Sequence, residues 1–233
     1  MKPLQSNTSY FLSEGKEHLR ECLKASFMRA VHSGVRFIVI FTVNGEGVEL
    51  ACNEFLRDSR YRDLKIVAVS YPFGTVPSEA LEVPAERMKL FKEFQIPLLR
   101  ATSPIDDIPA PNSRQSNIVR KTLEIFSGGM ALCVWGILAA CDGGAVPWGE
   151  HVIGCCADTS ILAKATPSAQ LLASFAIREI VCKPLIHDLS KGESLAQEIN
   201  VEALAKRTRK KVVAGQKQLS PAEVPEVVPK KEK

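Results

Sequence analysis

A chain of 233 residues with 45% hydrophobic and 24% charged residues can build one sizeable α/β domain with extensions. No stretch of about 18 residues is both apolar and free of charge, which excludes a membrane span. The net charge of +4 belongs to the tail: Lys206 to Lys233 holds nine of the 30 basic residues and three of the 26 acidic ones, leaving 21 against 23 elsewhere. A slightly acidic body argues against a nucleic-acid-binding protein, which needs a basic face.

The opening MKPLQSNTSYFL lacks the apolar centre of a signal peptide, so a cytoplasmic location is expected. Its end, SYFL at 9–12, is a short apolar run. Leu19, Leu23, Phe27 and Ala30 or Val31 then recur at helical spacing, with Ser13 as the expected N-cap and Gly34 as the stop. VRFIVIFTV at 35–43 is β-branched and almost wholly apolar, the pattern of a strand covered on both faces. After NGEG, a helix is expected over 48–58 and a second buried strand over 64–71. This alternation predicts parallel strands joined by helical crossovers.

Residues 72–83 read as loop, and a helix opens at Pro84, a residue tolerated at a first turn. A short strand follows at 96–102, then a Pro-rich irregular stretch at 103–114 and a helix at 116–126. The apolar run 129–144 fits a long strand or a buried helix; its length favours a helix stopped at Gly143-Gly144. Strands are expected at 150–157, 159–166 and 175–183. The main domain therefore spans 1–189. The extension 190–233 reads as a short helix followed by a Pro-, Glu-, Val- and Lys-rich basic tail without a packed core.

Seven cysteines without an export signal imply a reducing compartment rather than a disulfide framework. The stretch AACDGGAVPWGEHVIGCCADTS at 139–160 holds Cys141, His151, Cys155 and Cys156. This is not the paired spacing of a zinc site. Neighbouring strand residues point to opposite faces, so Cys155 and Cys156 cannot both reach one ion, and no metal is expected. Histidines 18, 32, 151 and 187 stand in separate segments without an evident nucleophile, and Asp106-Asp107 sits in the Pro-rich loop. No catalytic residue is assigned.

The motif carrying most chemistry is a strand, TVNGEG from Thr42 to Gly47, and a helix. Such a turn presents unpaired N–H groups and the helix dipole, which attract anions, although Glu46 would oppose a phosphate. Its spacing matches neither a P-loop nor a dinucleotide fingerprint. A second polar turn, Asp158-Thr159-Ser160, separates two strands. Open α/β sheets bind ligands at the carboxyl ends of strands. The expected ligand-binding set is therefore Thr42, Asn44, Gly45, Gly47, Asp158, Thr159 and Ser160.

Four segments appear in order over roughly residues 9–184: YFLSEGKEHLRECLKASFMRAVHSGV, IVIFTVNGEGVELACNEF, CVWGILAACDGGAVPWGEHVIGCCADTSILAKATPS and IREIVCKP. Together they resemble a family of small stand-alone proteins, best known from archaea, with the fold of the pyruvate kinase C-terminal domain. The most specific part runs from Ala139 to Pro147, followed by the VIG strand and ADT. The resemblance implies a three-layer α/β/α sandwich with a mixed, mostly parallel sheet of about five strands and an antiparallel edge. In pyruvate kinase the loop matching Thr42–Gly47 grips an effector's phosphate. The stand-alone relatives have no established reaction and lack the barrel that transfers phosphoryl groups, so kinase activity is not implied. The chain departs from its relatives at four places. Gly47 replaces a hydroxyl residue, Pro72 a histidine and Trp135 an acidic residue, while Cys155-Cys156 stands where they carry a longer Gly- and Arg-containing loop.

The leading functional expectation is a small-molecule-binding α/β protein. Its ligand would be a nucleotide, flavin mononucleotide (FMN) or another phosphorylated metabolite, and a homo-oligomer is compatible with the pattern. One alternative is an enzyme acting on a phosphorylated metabolite with Asp142 or Asp158 as base. Another is a scaffold or interaction protein working through the basic tail.

Overall fold

Alternation along one strand defines the whole architecture. In β2, Phe37–Phe41, all five residues are buried. Ile38 and Ile40 enter one hydrophobic core, whereas Phe37, Val39 and Phe41 enter a second on the opposite face. A strand with no polar side must be covered twice. The result is a sheet with helices on both faces, the three-layer α/β class expected from the sequence. The structure, a computed structural model, describes residues 6–73, 82–105 and 114–185.

In chain order the elements begin with β1, Ser9–Phe11, then a 3-10 turn at Lys16–His18 leading into α1, Leu19–His32. After β2 come α2, Glu46–Glu54; β3, Lys65–Ser70; α3, Ala85–Glu93; and β4, Leu98–Arg100. Next are α4, Arg114–Glu124; α5, Gly128–Asp142; β5, His151–Cys155; β6, Ser160–Lys164; the short α6, Leu171–Ser174; and β7, Ala176–Pro184. The sheet order is β1-β7-β6-β5-β2-β3-β4. All neighbouring pairs are parallel except the two involving β6.

Two details correct the expectation of about five strands with an antiparallel edge. The sheet has seven strands, and β6 is internal because β7 and β1 extend the sheet beyond it. The apolar run at 9–12 supplies that edge through a three-residue strand, with Ser9 opposite Cys182. Ser13 does not cap α1. Its hydroxyl lies by Glu17 and His18 at 3.4 and 3.1 Å, and the chain enters the helix through the 3-10 turn instead. Gly34 does end the helix, at φ 66°, with Val35 N donating back to Ala30 O.

The ambiguous run at 129–144 is helical. Every residue of α5 from Gly129 to Ala140 except Leu132 is buried. Helix α5 packs into the second core, where Val119 and Leu123 of α4 join it. Helices α1, α2 and α3 cover the first core, centred on Phe27, Leu23 and Val48. No helix among the described residues is long and apolar enough to cross a membrane. The expected extension at 190–233, its basic tail, His187 and Asp106-Asp107 lie outside the described residues, as does 74–81 of the expected 72–83 loop.

Candidate functional site

Strand β2 lies between β3 and β5, and the chain changes direction across the sheet at the β2–β5 boundary. Thr42–Gly47 leaves the carboxyl end of β2, and Asp158–Ser160 follows β5. The two expected loops therefore flank the switch point of the sheet.

Most of their polar groups are already engaged. Thr42 Oγ1 accepts from Gly45 N at 3.1 Å, and Asn44 Oδ1 accepts from Glu46 N at 3.3 Å. Gly45 caps α2 at φ 86°, a left-handed conformation suited to glycine. Arg87 of α3 donates to Asn44 O at 3.1 Å and pairs with Glu49 at 2.6 Å, tying the loop down. Gly47 is buried because α2 passes close to the sheet; an added Cβ would lie 3.2 Å from Ile40 Cγ2. A larger residue at this position would press on Ile40 and Leu19.

The second turn is a buried network. Asp158 accepts from Gly15 N at 3.0 Å and from the Thr159 hydroxyl at 2.9 Å. Thr159 also bonds Ser127 at 2.9 Å, and Ser160 bonds Ser26 at 2.7 Å. Thr159 and Ser160 are fully buried, and Asp158 nearly so. Glu14 accepts from Gly128 N, the first residue of α5, at 3.1 Å. The Glu14–Gly15 segment thus ties the β5–β6 turn to the start of α5, and a chain carboxylate occupies the helix terminus where an external anion would otherwise bind. Asp142, the other carboxylate considered as a base, is exposed at the far end of α5 and accepts from Ser168 N at 2.9 Å.

The cysteines divide between the two cores. Cys155 faces the first and Cys156 the second, as strand alternation requires. His151 begins β5, four residues before Cys155, about 13 Å along an extended strand. Among the described residues no cluster of three or more His, Cys, Asp or Glu side chains could hold a metal ion. Burial raises the Cys22, Cys133 and Cys155 thiols far above the ordinary thiol value and pushes Cys52 up to about 12. Cys156 goes the other way: a hydrogen bond with Cys133 holds it below the ordinary value despite burial.

An open cavity of about 480 Å³ lies at the carboxyl ends of β3 and β4. Tyr71 and Pro72 follow β3, Thr102 and Ser103 follow β4, Arg120 comes from α4, and Trp135 from α5. Phe41, Tyr71 and Trp135 pack as an aromatic group with ring centroids 4.9–5.1 Å apart. Burial raises the Tyr71 phenol's pKa, so it stays neutral at physiological pH. Arg120 and Glu124, both on the cavity's lining, pair at 2.9 Å. No family model matches this chain. A search of curated proteins returns no match either.

None of the cavity residues belongs to the expected binding set. Pro72 and Trp135 stood out in the sequence only as departures from the resembled family. Residues 71, 102, 120 and 135 are widely spaced and follow no common pattern, so their convergence is a product of the strand order.

Proposed function

We propose that the protein binds a ring-bearing small molecule, of the nucleoside or flavin class, in the cavity at the carboxyl ends of β3 and β4. The observation that carries this reading is the cavity itself. Its volume of about 480 Å³ falls within the roughly 300–1,000 Å³ of small-molecule sites, and its lining combines aromatic and aliphatic side chains with hydrogen-bonding ones. Tyr71 and Trp135 offer aromatic surfaces against which a planar ring gains about 0.5–1.5 kcal/mol beyond its buried area.

The reading keeps a nucleotide or FMN as candidate ligands but moves them away from Thr42–Gly47 and Asp158–Ser160. Those polar groups are engaged within the fold, and Arg120 already has a carboxylate partner. The ring portion is therefore the recognised part, and a phosphate adds little. The resemblance to the pyruvate kinase C-terminal domain family remains a proposal. The inner strands β4-β3-β2-β5-β6, with only β6 antiparallel, are compatible with the mixed sheet it implies.

Thermal-shift and native mass-spectrometric screening of riboflavin, FMN, adenosine, uridine and their 5′-monophosphates tests the proposal. Binding is expected to survive removal of the phosphate and to disappear in Ala131→Leu, which places extra methyl groups in the cavity wall. Failure of every ring-bearing compound to shift the melt, or binding unchanged in Ala131→Leu, would overturn it.

A further inference from the structure

A second cavity, of about 750 Å³, lies at the opposite end of α5, beside the edge strand β4. Leu98 and Leu99 of β4, Ala139 of α5, and Leu171 and Ala173 of α6 give it an aliphatic lining. Asp142, the last residue of α5, also lines it and is exposed. The carbonyl end of a helix is its negative pole, where an acid is unfavourable and a cation favourable. The last turn of α5 nevertheless carries Asp142 and no basic residue. The carboxylate accepts from Ser168 N at 2.9 Å through Oδ1, a bond that an uncharged asparagine would supply equally well. Its Oδ2 has no hydrogen-bond or ion-pair partner among the described residues. Arg100, the one basic residue among the described lining, donates to Tyr71 O at 3.2 Å and sits over the Phe73 ring at 4.3 Å.

We propose that this cavity is a second ligand site, selecting small aliphatic ammonium compounds. The hydrocarbon body lies against the leucines and alanines, and the ammonium group meets Asp142 at the end of α5. The volume falls within the roughly 300–1,000 Å³ of small-molecule sites. No aromatic side chain is among the described lining residues, so a saturated body suits this cavity better than the flat ring suited to the first. Carboxylate and helix dipole act in the same sense, and an ammonium supplies the countercharge that the end of α5 lacks. An anion on the same body is repelled, and a neutral alcohol keeps only the apolar contacts. The site stands apart from the ring-binding reading of the cavity at β3 and β4.

Three compounds test this: 1-adamantylamine, 1-adamantanol and adamantane-1-carboxylate, one rigid cage bearing a cationic, neutral or anionic group. Each is titrated into the full chain at neutral pH and followed by two-dimensional 15N–1H NMR. The amine is expected to bind about fivefold more tightly than the alcohol, with the carboxylate weakest. The amide signals of Gly143, Ala169 and Ala173 should move. Added salt should shrink the amine's advantage by screening the charge. Asp142→Asn keeps the acceptor for Ser168 N and should remove most of that advantage. Ala173→Trp, at an exposed lining position, should abolish binding of all three, whereas Ala131→Leu in the first cavity should leave it unchanged. Equal binding of amine and alcohol in the wild-type protein would overturn the proposal whether or not any variant folds. So would an advantage that survives in Asp142→Asn, binding that survives in Ala173→Trp or is lost in Ala131→Leu, or no binding at all. The ring-ligand screen is read separately, so either site can fail without the other.

Discussion

Replacing Gly129 with alanine tests how tightly α5 is seated on the turn between β5 and β6. The new Cβ would lie 2.5 Å from both Cys156 Sγ and Thr159 Oγ1 and 2.7 Å from Thr159 Cβ. Unbonded carbon atoms rest about 3.5–4.0 Å apart, so helix or turn must shift by about 1 Å. Neither neighbour can swing into solvent, since Cys156 is 4% exposed and Thr159 fully buried. Thr159 is also held by Ser127 and Asp158, each at 2.9 Å. Overpacking of this kind costs about 1–3 kcal/mol, and losing one buried hydrogen bond about 1 kcal/mol more. Glycine-to-alanine replacement in a helix recovers at most about 1 kcal/mol. The expected net loss is about 2 kcal/mol, read as a lower urea midpoint at unchanged m by circular dichroism. Adding Cys156→Ala should recover part of it by removing one of the clashing atoms. If Gly129→Ala were as stable as the wild type, or more so, the close seating of α5 would be refuted.

Ser26 bonds Cys22 O and Ser160 Oγ, both at 2.7 Å in the buried interior. Ser26→Ala should cost about 1–3 kcal/mol by leaving Ser160 unpaired, and Ser26→Ala with Ser160→Ala less than the two single losses summed; strict additivity in denaturant melts would contradict this. Of the seven cysteines only Cys141 is not buried, so DTNB at pH 8 should modify it first, and rapid labelling of several thiols in the native protein would argue against the packing. Because folding raises the Cys52 pKa from 9.0 to about 12, the stability gained by keeping that thiol protonated is complete below pH 9 and lost as the pH climbs through 12. The melting temperature should fall over that range, and less steeply in Cys52→Ala; an equal slope would remove Cys52 as a cause. EDTA should leave the melting temperature unchanged and elemental analysis should find no stoichiometric zinc, whereas about one zinc per chain with a melt that collapses in EDTA would mean a metal contributes to folding.

Fold class was legible because burial leaves a periodic trace. β2 reads as a continuous β-branched run because both its faces are covered, and α5 is too long for a strand and stops at its glycines. The opposed placement of Cys155 and Cys156 follows from strand geometry alone. Ser13 was misassigned as a cap because a serine before an apolar helix satisfies the local rule, whereas the chain makes a 3-10 turn first. The sheet edge formed by β1 and β7 depends on a pairing across more than 170 residues, which three residues of β1 cannot announce. The candidate site shows the same division. Local sequence identified two polar turns and their position at strand ends, since glycine and hydroxyl residues mark turns wherever they fall. Whether those groups face a ligand or one another is decided by what packs over them, here Gly15, Ser26, Arg87 and Ser127 from other parts of the chain. The cavity at the ends of β3 and β4 is wholly a tertiary product. Tyr71, Thr102, Arg120 and Trp135 meet only because β3 and β4 end next to α5, and nothing in the residues near any one of them encodes the presence of the other three.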